Sequence, residues 1–169
     1  NTKGEQIIEC KFDDTSYFSE GFAPVQKDGK WGYINTKGEQ IIECKFDDTS
    51  YFSEGFAPVQ KDGKWGYINT KGEQIIECKF DDTSYFNEGF AAVKKDGKWG
   101  YINTKGEQIV ECKFDDARDF SEGFAAVKKY GRWGYINTKC EQIIECKFDD
   151  VGYFTKALLL LKKMANVDI

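Results

Sequence analysis

Three kinds of residue in this chain have types and spacings that could do chemistry, and each recurs at a constant interval. Paired aromatics stand at Trp31 and Tyr33, Trp65 and Tyr67, Trp99 and Tyr101, and Trp133 and Tyr135. Cysteines stand at Cys10, Cys44, Cys78, Cys112 and Cys146, and adjacent carboxylates run from Asp13-Asp14 to Asp149-Asp150. Two rings at i and i+2 of one strand, repeated along an array, could form a platform for sugars or quaternary amines. The same rings could be the apolar filling between successive sheets, and a chain poor in Leu and Val needs such filling. The sequence favours filling, and keeps the ligand platform as the alternative use of these eight residues.

The cysteines lack the convergent spacing of a metal site. There is no Cys-x-x-Cys pair and no histidine, so a tetrahedral ligand set has no sequence basis. They are expected as small apolar core residues on the strand face of Ile42 and Phe46. Cys140 differs, because it replaces the turn glycine of Gly4, Gly38, Gly72 and Gly106. It is expected to be exposed and to cost turn stability, and a bond to Cys146 is conceivable. The Asp pairs are weak candidates for acid–base work, which needs carboxylates that converge in space with separated pKa values. Their fivefold repetition points away from a single catalytic site, and capping of a short helical turn explains them better. The absence of histidine also removes the commonest general base. Neither catalytic residues nor a metal or other cofactor are expected, and the chain reads as no enzyme.

The elements that position these residues follow from the turns. Asp28-Gly29 between Val25-Gln26-Lys27 and Lys30-Trp31-Gly32-Tyr33-Ile34 is a strong hairpin signal. A second turn is expected at Asn35-Thr36-Lys37-Gly38, before Gln40-Ile41-Ile42-Glu43-Cys44-Lys45-Phe46. Trp31 and Tyr33 share one strand face, and Gly32 sits opposite, where a neighbouring backbone can approach. The segment Phe12 to Gly21 is expected as one helical turn, capped by Asp13 or Asp14 and ended by Gly21.

The four Trp residues lie 34 positions apart, so the chain is a tandem array with units 1–34, 35–68, 69–102, 103–136 and a partial 137–154. A period of 34 is also that of a helical hairpin repeat, but four glycines per unit and two hairpin turns would break both helices. The fold class is therefore all-β. Three-stranded antiparallel meanders joined by helical turns are expected in an open solenoid or superhelix, with a propeller-like arc as the alternative. Residues 155–169 leave the pattern. Rich in Leu, Lys and Met, they are expected to form a short helix within 156–166 that caps the array. With suitable codons, restoring one base near codon 155 regenerates the repeat as Thr-Glu-Gly-Phe-Ala-Ala-Val-Lys-Lys-Asp-Gly-Lys. The tail thus reads as the repeat in a shifted frame, an origin that the genomic DNA tests directly.

The Gly-Lys-Trp-Gly-Tyr-Ile and Phe-Ser-Glu-Gly-Phe-Ala-Pro-Val segments together resemble the bacterial WG-repeat family, over residues 1 to about 154. The resemblance implies a β-rich repeat module, often fused to other domains, with no general enzymatic activity. The hairpin is similar, more weakly, to the choline-binding-like repeats of cell-wall-binding proteins, whose extra aromatics have no one-for-one match here. A net charge of -5 with interspersed signs argues against a nucleic-acid partner, and no apolar run is long enough to span a membrane. The expected function is a non-catalytic module for protein–protein interaction or scaffolding. Cell-wall glycan or choline-type binding through the Trp/Tyr pairs is the alternative. The chain starts at Asn1, in phase with the repeat and without Met, and reads as a piece of a longer array, so localisation stays open.

Overall fold

A computed structural model describes residues 11–152. It contains sixteen strands and, among the described residues, no helix. They are β1 Asp14–Thr15, β2 Phe22–Lys27, β3 Lys30–Asn35, β4 Gln40–Phe46, β5 Asp48–Thr49, β6 Phe56–Lys61, β7 Lys64–Asn69 and β8 Gln74–Phe80. The same set recurs as β9 Asp82–Thr83, β10 Phe90–Lys95, β11 Lys98–Asn103, β12 Gln108–Phe114, β13 Asp116–Ala117, β14 Phe124–Lys129, β15 Arg132–Asn137 and β16 Gln142–Phe148. The chain divides into two compact halves, 1–85 and 86–169.

Two sheets occupy the first half, ordered β1-β2-β3-β4 and β5-β6-β7-β8. In the second half β10, β11 and β12 form the same meander, and β13-β14-β15-β16 repeat the whole sheet. Every pairing is antiparallel. The sheets are open, and each has four strands where the sequence suggests three. The extra strand is the short Asp14–Thr15 element, paired with Val25 and Gln26.

That strand replaces the expected helical turn. Asp13 N–H donates to Gln26 O at 2.8 Å and Ser16 N–H to Pro24 O at 3.1 Å, so long-range pairing takes the donors a helix would use. The segment then closes in a hairpin of its own. Ser19 and Phe22 exchange both backbone hydrogen bonds, at 2.8 and 2.9 Å, around Glu20 and Gly21 with φ of 51° and 85°. Two successive positive φ values are those of a type I′ turn, so Gly21 serves a hairpin rather than a helix end. The helix expected within 156–166 lies outside the described residues.

The two turns read from the sequence are present. Asp28 and Gly29 have φ of 53° and 73° and join β2 to β3 with Lys27 opposite Lys30. Asn35 to Gly38 forms the second turn, in which the Asn35 side chain accepts the N–H groups of Lys37 and Glu39 at 2.9 and 3.0 Å.

The core of the first half lies between its two sheets. Tyr33, Ile42 and Phe46 of one sheet pack against Ala57, Val59 and Ile68 of the next, with Phe52 between them. The Phe52 ring meets Tyr33 edge-on at 5.0 Å and Phe22 at 4.8 Å. The second half repeats this with Tyr101, Val110 and Phe114 against Ala125, Val127 and Ile136, and Phe120 between. Within each half, the apolar area that stabilises one sheet is thus supplied by the other.

Candidate functional site

The Trp-Gly-Tyr segment sits on a bulge. On β3, Trp31 faces Phe46 and Tyr33 faces Ile42, so one residue of β3 lies opposite three of β4. The surplus residues of β4 press their backbone onto Gly32. A Cβ there would lie 2.4 Å from Ile42 O and 2.7 Å from Cys44 N, and Gly66, Gly100 and Gly134 repeat that contact within 0.1 Å. Glycine is required for lack of space, and the bulge rotates the remainder of β4.

This rotation moves the cysteines. Cys44 sits with Ala23, Val25 and Ile34, on the face opposite Ile42 and Phe46, contrary to the sequence expectation. Strict alternation fails because the bulge lies between Ile42 and Phe46. The thiols are half-buried and unbridged. Cys44, Cys78 and Cys146 each donate across the middle strand to a Val carbonyl of β2, β6 or β14, those of Val25, Val59 and Val127, at 3.6 Å. Burial raises these thiols above their ordinary range, the reverse of what a nucleophile needs. Cys140 is also a free thiol and is half-buried rather than exposed. Its S–H donates to Ile109 O at 3.0 Å, and its φ of 65° retains the glycine turn.

The two members of each aromatic pair have different surroundings. Tyr33, Tyr67 and Tyr101 are fully buried and Tyr135 nearly so. Their phenols cross to the next segment of chain. Tyr33 donates to Ser50 O at 2.6 Å, Tyr67 to Ser84 O at 2.6 Å, Tyr101 to Arg118 O at 2.7 Å and Tyr135 to Gly152 O at 2.6 Å. Burial holds the Tyr33 and Tyr101 phenols far above their usual titration range. Trp31, Trp65 and Trp99 are half-buried and Trp133 is buried. Lys94 lies over Trp99 at 5.7 Å, and Lys128 and Arg118 over Trp133 at 5.6 and 4.8 Å. In the second half the indole faces therefore already hold cations of this chain, whereas the residues opposite Trp31 and Trp65 in the first half are the uncharged Gln26 and Gln60.

The carboxylate pairs are structural staples. Asp47 accepts the N–H of Asp62, in the hairpin turn of its own sheet, at 2.7 Å, and pairs with Lys30 of the preceding sheet. Asp115 does the same with Gly131 N–H, at 3.2 Å, and Lys98, at 2.6 Å. The second Asp of each pair accepts the next residue's N–H, as Asp48 does from Thr49 at 2.8 Å. Glu20 adds a staple that the sequence did not suggest. Its carboxylate accepts Glu54 N–H at 2.8 Å and Gly55 N–H at 2.9 Å, one unit further on. The recurrence of Glu at spacing 34 was the available signal. Among the described residues no group of three or more His, Cys, Asp or Glu side chains is placed to hold a metal ion, and no helix is long and apolar enough to cross a membrane.

No curated protein matches the sequence. Among solved structures, a crystal structure of the eukaryotic initiation factor superposes with a TM-score of 0.57 at 12% identity, covering 84% of this chain and 46% of that one. Hsv2 of Kluyveromyces lactis gives 0.47 at 11% identity over 77% of this chain and 46% of that one. The extracellular domain of a hybrid two component system from B. thetaiotaomicron gives 0.46 at 15% identity, over 78% and 22%. The chain spans half or less of the length of these structures, and the first likeness bears on the fold alone. The sequence pattern of the WG containing repeat matches residues 1–31, 31–65, 65–99, 99–133 and 133–163 in tandem. With the Trp-Gly step explained by the bulge it permits, and the whole array covered by that pattern, the chain belongs to the WG containing repeat family.

Proposed function

We propose that this chain is a non-catalytic repeat module that binds another protein or serves as a scaffold. The observation that carries this reading is that the repeated chemistry is consumed internally. The motif phenols bond to neighbouring backbone, the thiols to strand carbonyls, and Asp47 and Asp115 each to a turn and a Lys. Among the described residues no polar or charged residue is buried. What the surface offers is the same set of groups at 34-residue intervals, which suits contact with an extended partner. Cell-wall glycan or choline-type binding is the second reading, and the half-exposed Trp31 and Trp65 indoles favour it over any catalytic one.

The test pairs two measurements on the whole chain. Affinity capture with mapped cross-links is expected to join one partner protein to equivalent positions of successive repeats. Trp fluorescence is expected to stay constant as choline and soluble cell-wall oligosaccharides are added. Saturable quenching, lost in Trp31→Ala and Trp65→Ala, transfers the function to the glycan reading.

A further inference from the structure

One aromatic row is left over from the core. Tyr17, Tyr51 and Tyr85 recur at the repeat spacing, and Asp119 takes the place in the next unit. Tyr17 is 70% exposed, Tyr51 half-buried and Tyr85 exposed. The Tyr17 and Tyr51 rings are stacked, with centroids 4.3 Å apart and planes 15° from parallel. The Tyr51 phenol is bonded to the Ser16 hydroxyl at 2.7 Å, and the nearness of Tyr51 raises the Tyr17 phenol above its ordinary range. The stack holds the two rings face to face, with the carbons of one ring against those of the other.

We propose that Tyr17 and Tyr51 form an oxidative cross-linking site, in which a peroxide-driven one-electron oxidant joins the two rings as dityrosine and locks the first sheet to the second. The balance is simple. Each phenol loses one electron and one proton to become a phenoxyl radical. The radicals pair through the ring carbons adjacent to the oxygens, forming one C–C bond. Each bonded carbon then gives up its hydrogen as a proton and its phenol oxygen regains one, restoring both aromatic rings. The two electrons and two protons reduce one hydrogen peroxide to two waters. Proximity replaces the diffusional encounter that dityrosine otherwise requires, and the exposed Tyr17 ring has the freedom to tilt from stacking into bonding geometry. This site does not depend on the binding function proposed above.

The experiment is to treat the dilute full chain with a peroxidase and hydrogen peroxide and separate monomer from dimer. The expected monomer fraction shows dityrosine fluorescence, is lighter by two hydrogen atoms, and yields a cross-linked peptide joining residues 17 and 51. Tyr17→Phe keeps the ring stack but is expected to abolish that product, while Tyr130→Phe leaves it unchanged. Dityrosine confined to dimers, or a monomer link that excludes Tyr17, overturns the proposal.

Discussion

Gly66 and Gly100 stand where a methyl group would lie 2.4 Å from a backbone oxygen. Because the opposing atoms are main chain, the clash cannot be relieved by a rotamer change. Gly66→Ala is therefore expected to destabilise the chain by about 3 kcal/mol, near the upper end for overpacking. Urea denaturation checks this, and a cost below about 1 kcal/mol would mean that the bulge yields. The Trp-Tyr pair allows a comparison between neighbours. Tyr101→Ala is expected to cost about 3–5 kcal/mol, the range for deleting a buried large ring, and Trp99→Ala clearly less, since its indole is half-buried. Equal costs would show that the indole carries as much packing as the ring beside it. The phenols also set an alkaline limit. Their folded pKa values lie above the unfolded value of about 10, so their contribution is whole below that pH and is lost as pH rises through the folded values. Tyr33→Phe with Tyr101→Phe should lower stability at neutral pH, by about 1–3 kcal/mol per lost bond, yet flatten its decline above pH about 10.

At the scale of the strand and turn, the hairpin tips are held by carboxylates. Asp47 and Asp115 are pulled below the ordinary carboxylate range, first by Lys30 and Lys98 and then by turn N–H groups. A depressed folded pKa gives stability that is present above the unfolded value of about 3.9 and is lost as pH falls through the folded one. Stability should thus decline on acidification below pH about 4, and Asp47→Asn should reduce that acid sensitivity while lowering stability at pH 7. An unchanged acid profile in the variant would show that other carboxylates set it. Tyr130 tests the turn. A bulky residue there, where Asp28, Asp62 and Asp96 stand in the other units, disfavours positive φ, yet Tyr130 has a φ of 52°, matching Asp62 and Asp96, and is 87% exposed. The turn is dictated by the flanking register, and Tyr130 adopts it at a steric cost. Tyr130→Asp should stabilise by roughly 1 kcal/mol, read from the thermal midpoint, and a loss of stability would reveal a favourable contact of the ring.

For the molecule as a whole, the core lies between sheets and not within them. A peptide holding one sheet, residues 13–46, would leave the Tyr33, Ile42 and Phe46 face without the cover that Phe52, Ala57, Val59 and Ile68 provide. It is expected to show no cooperative melt by circular dichroism, whereas the full chain does; a cooperative transition in the peptide would place the stability inside the sheet. The sequence by itself determined the all-β class, the 34-residue unit, the Asp-Gly and Asn-to-Gly turns and the close approach at Gly32. These depend on φ preferences, alternation and side-chain size, which act within a few residues of each position. Tertiary structure decided the rest. The Asp13–Gly21 segment carries a good helix cap and a good helix stop, but its backbone donors find partners on β2, a choice invisible locally. The bulge put Cys44 on the face opposite Ile42 because it breaks the alternation on which face assignments depend. The Trp and Tyr of the first three motifs share a strand face, yet the Trp is half-buried and the Tyr sealed. What separates them is the next sheet, whose Phe52 and Ser50 come from a different repeat and close over Tyr33.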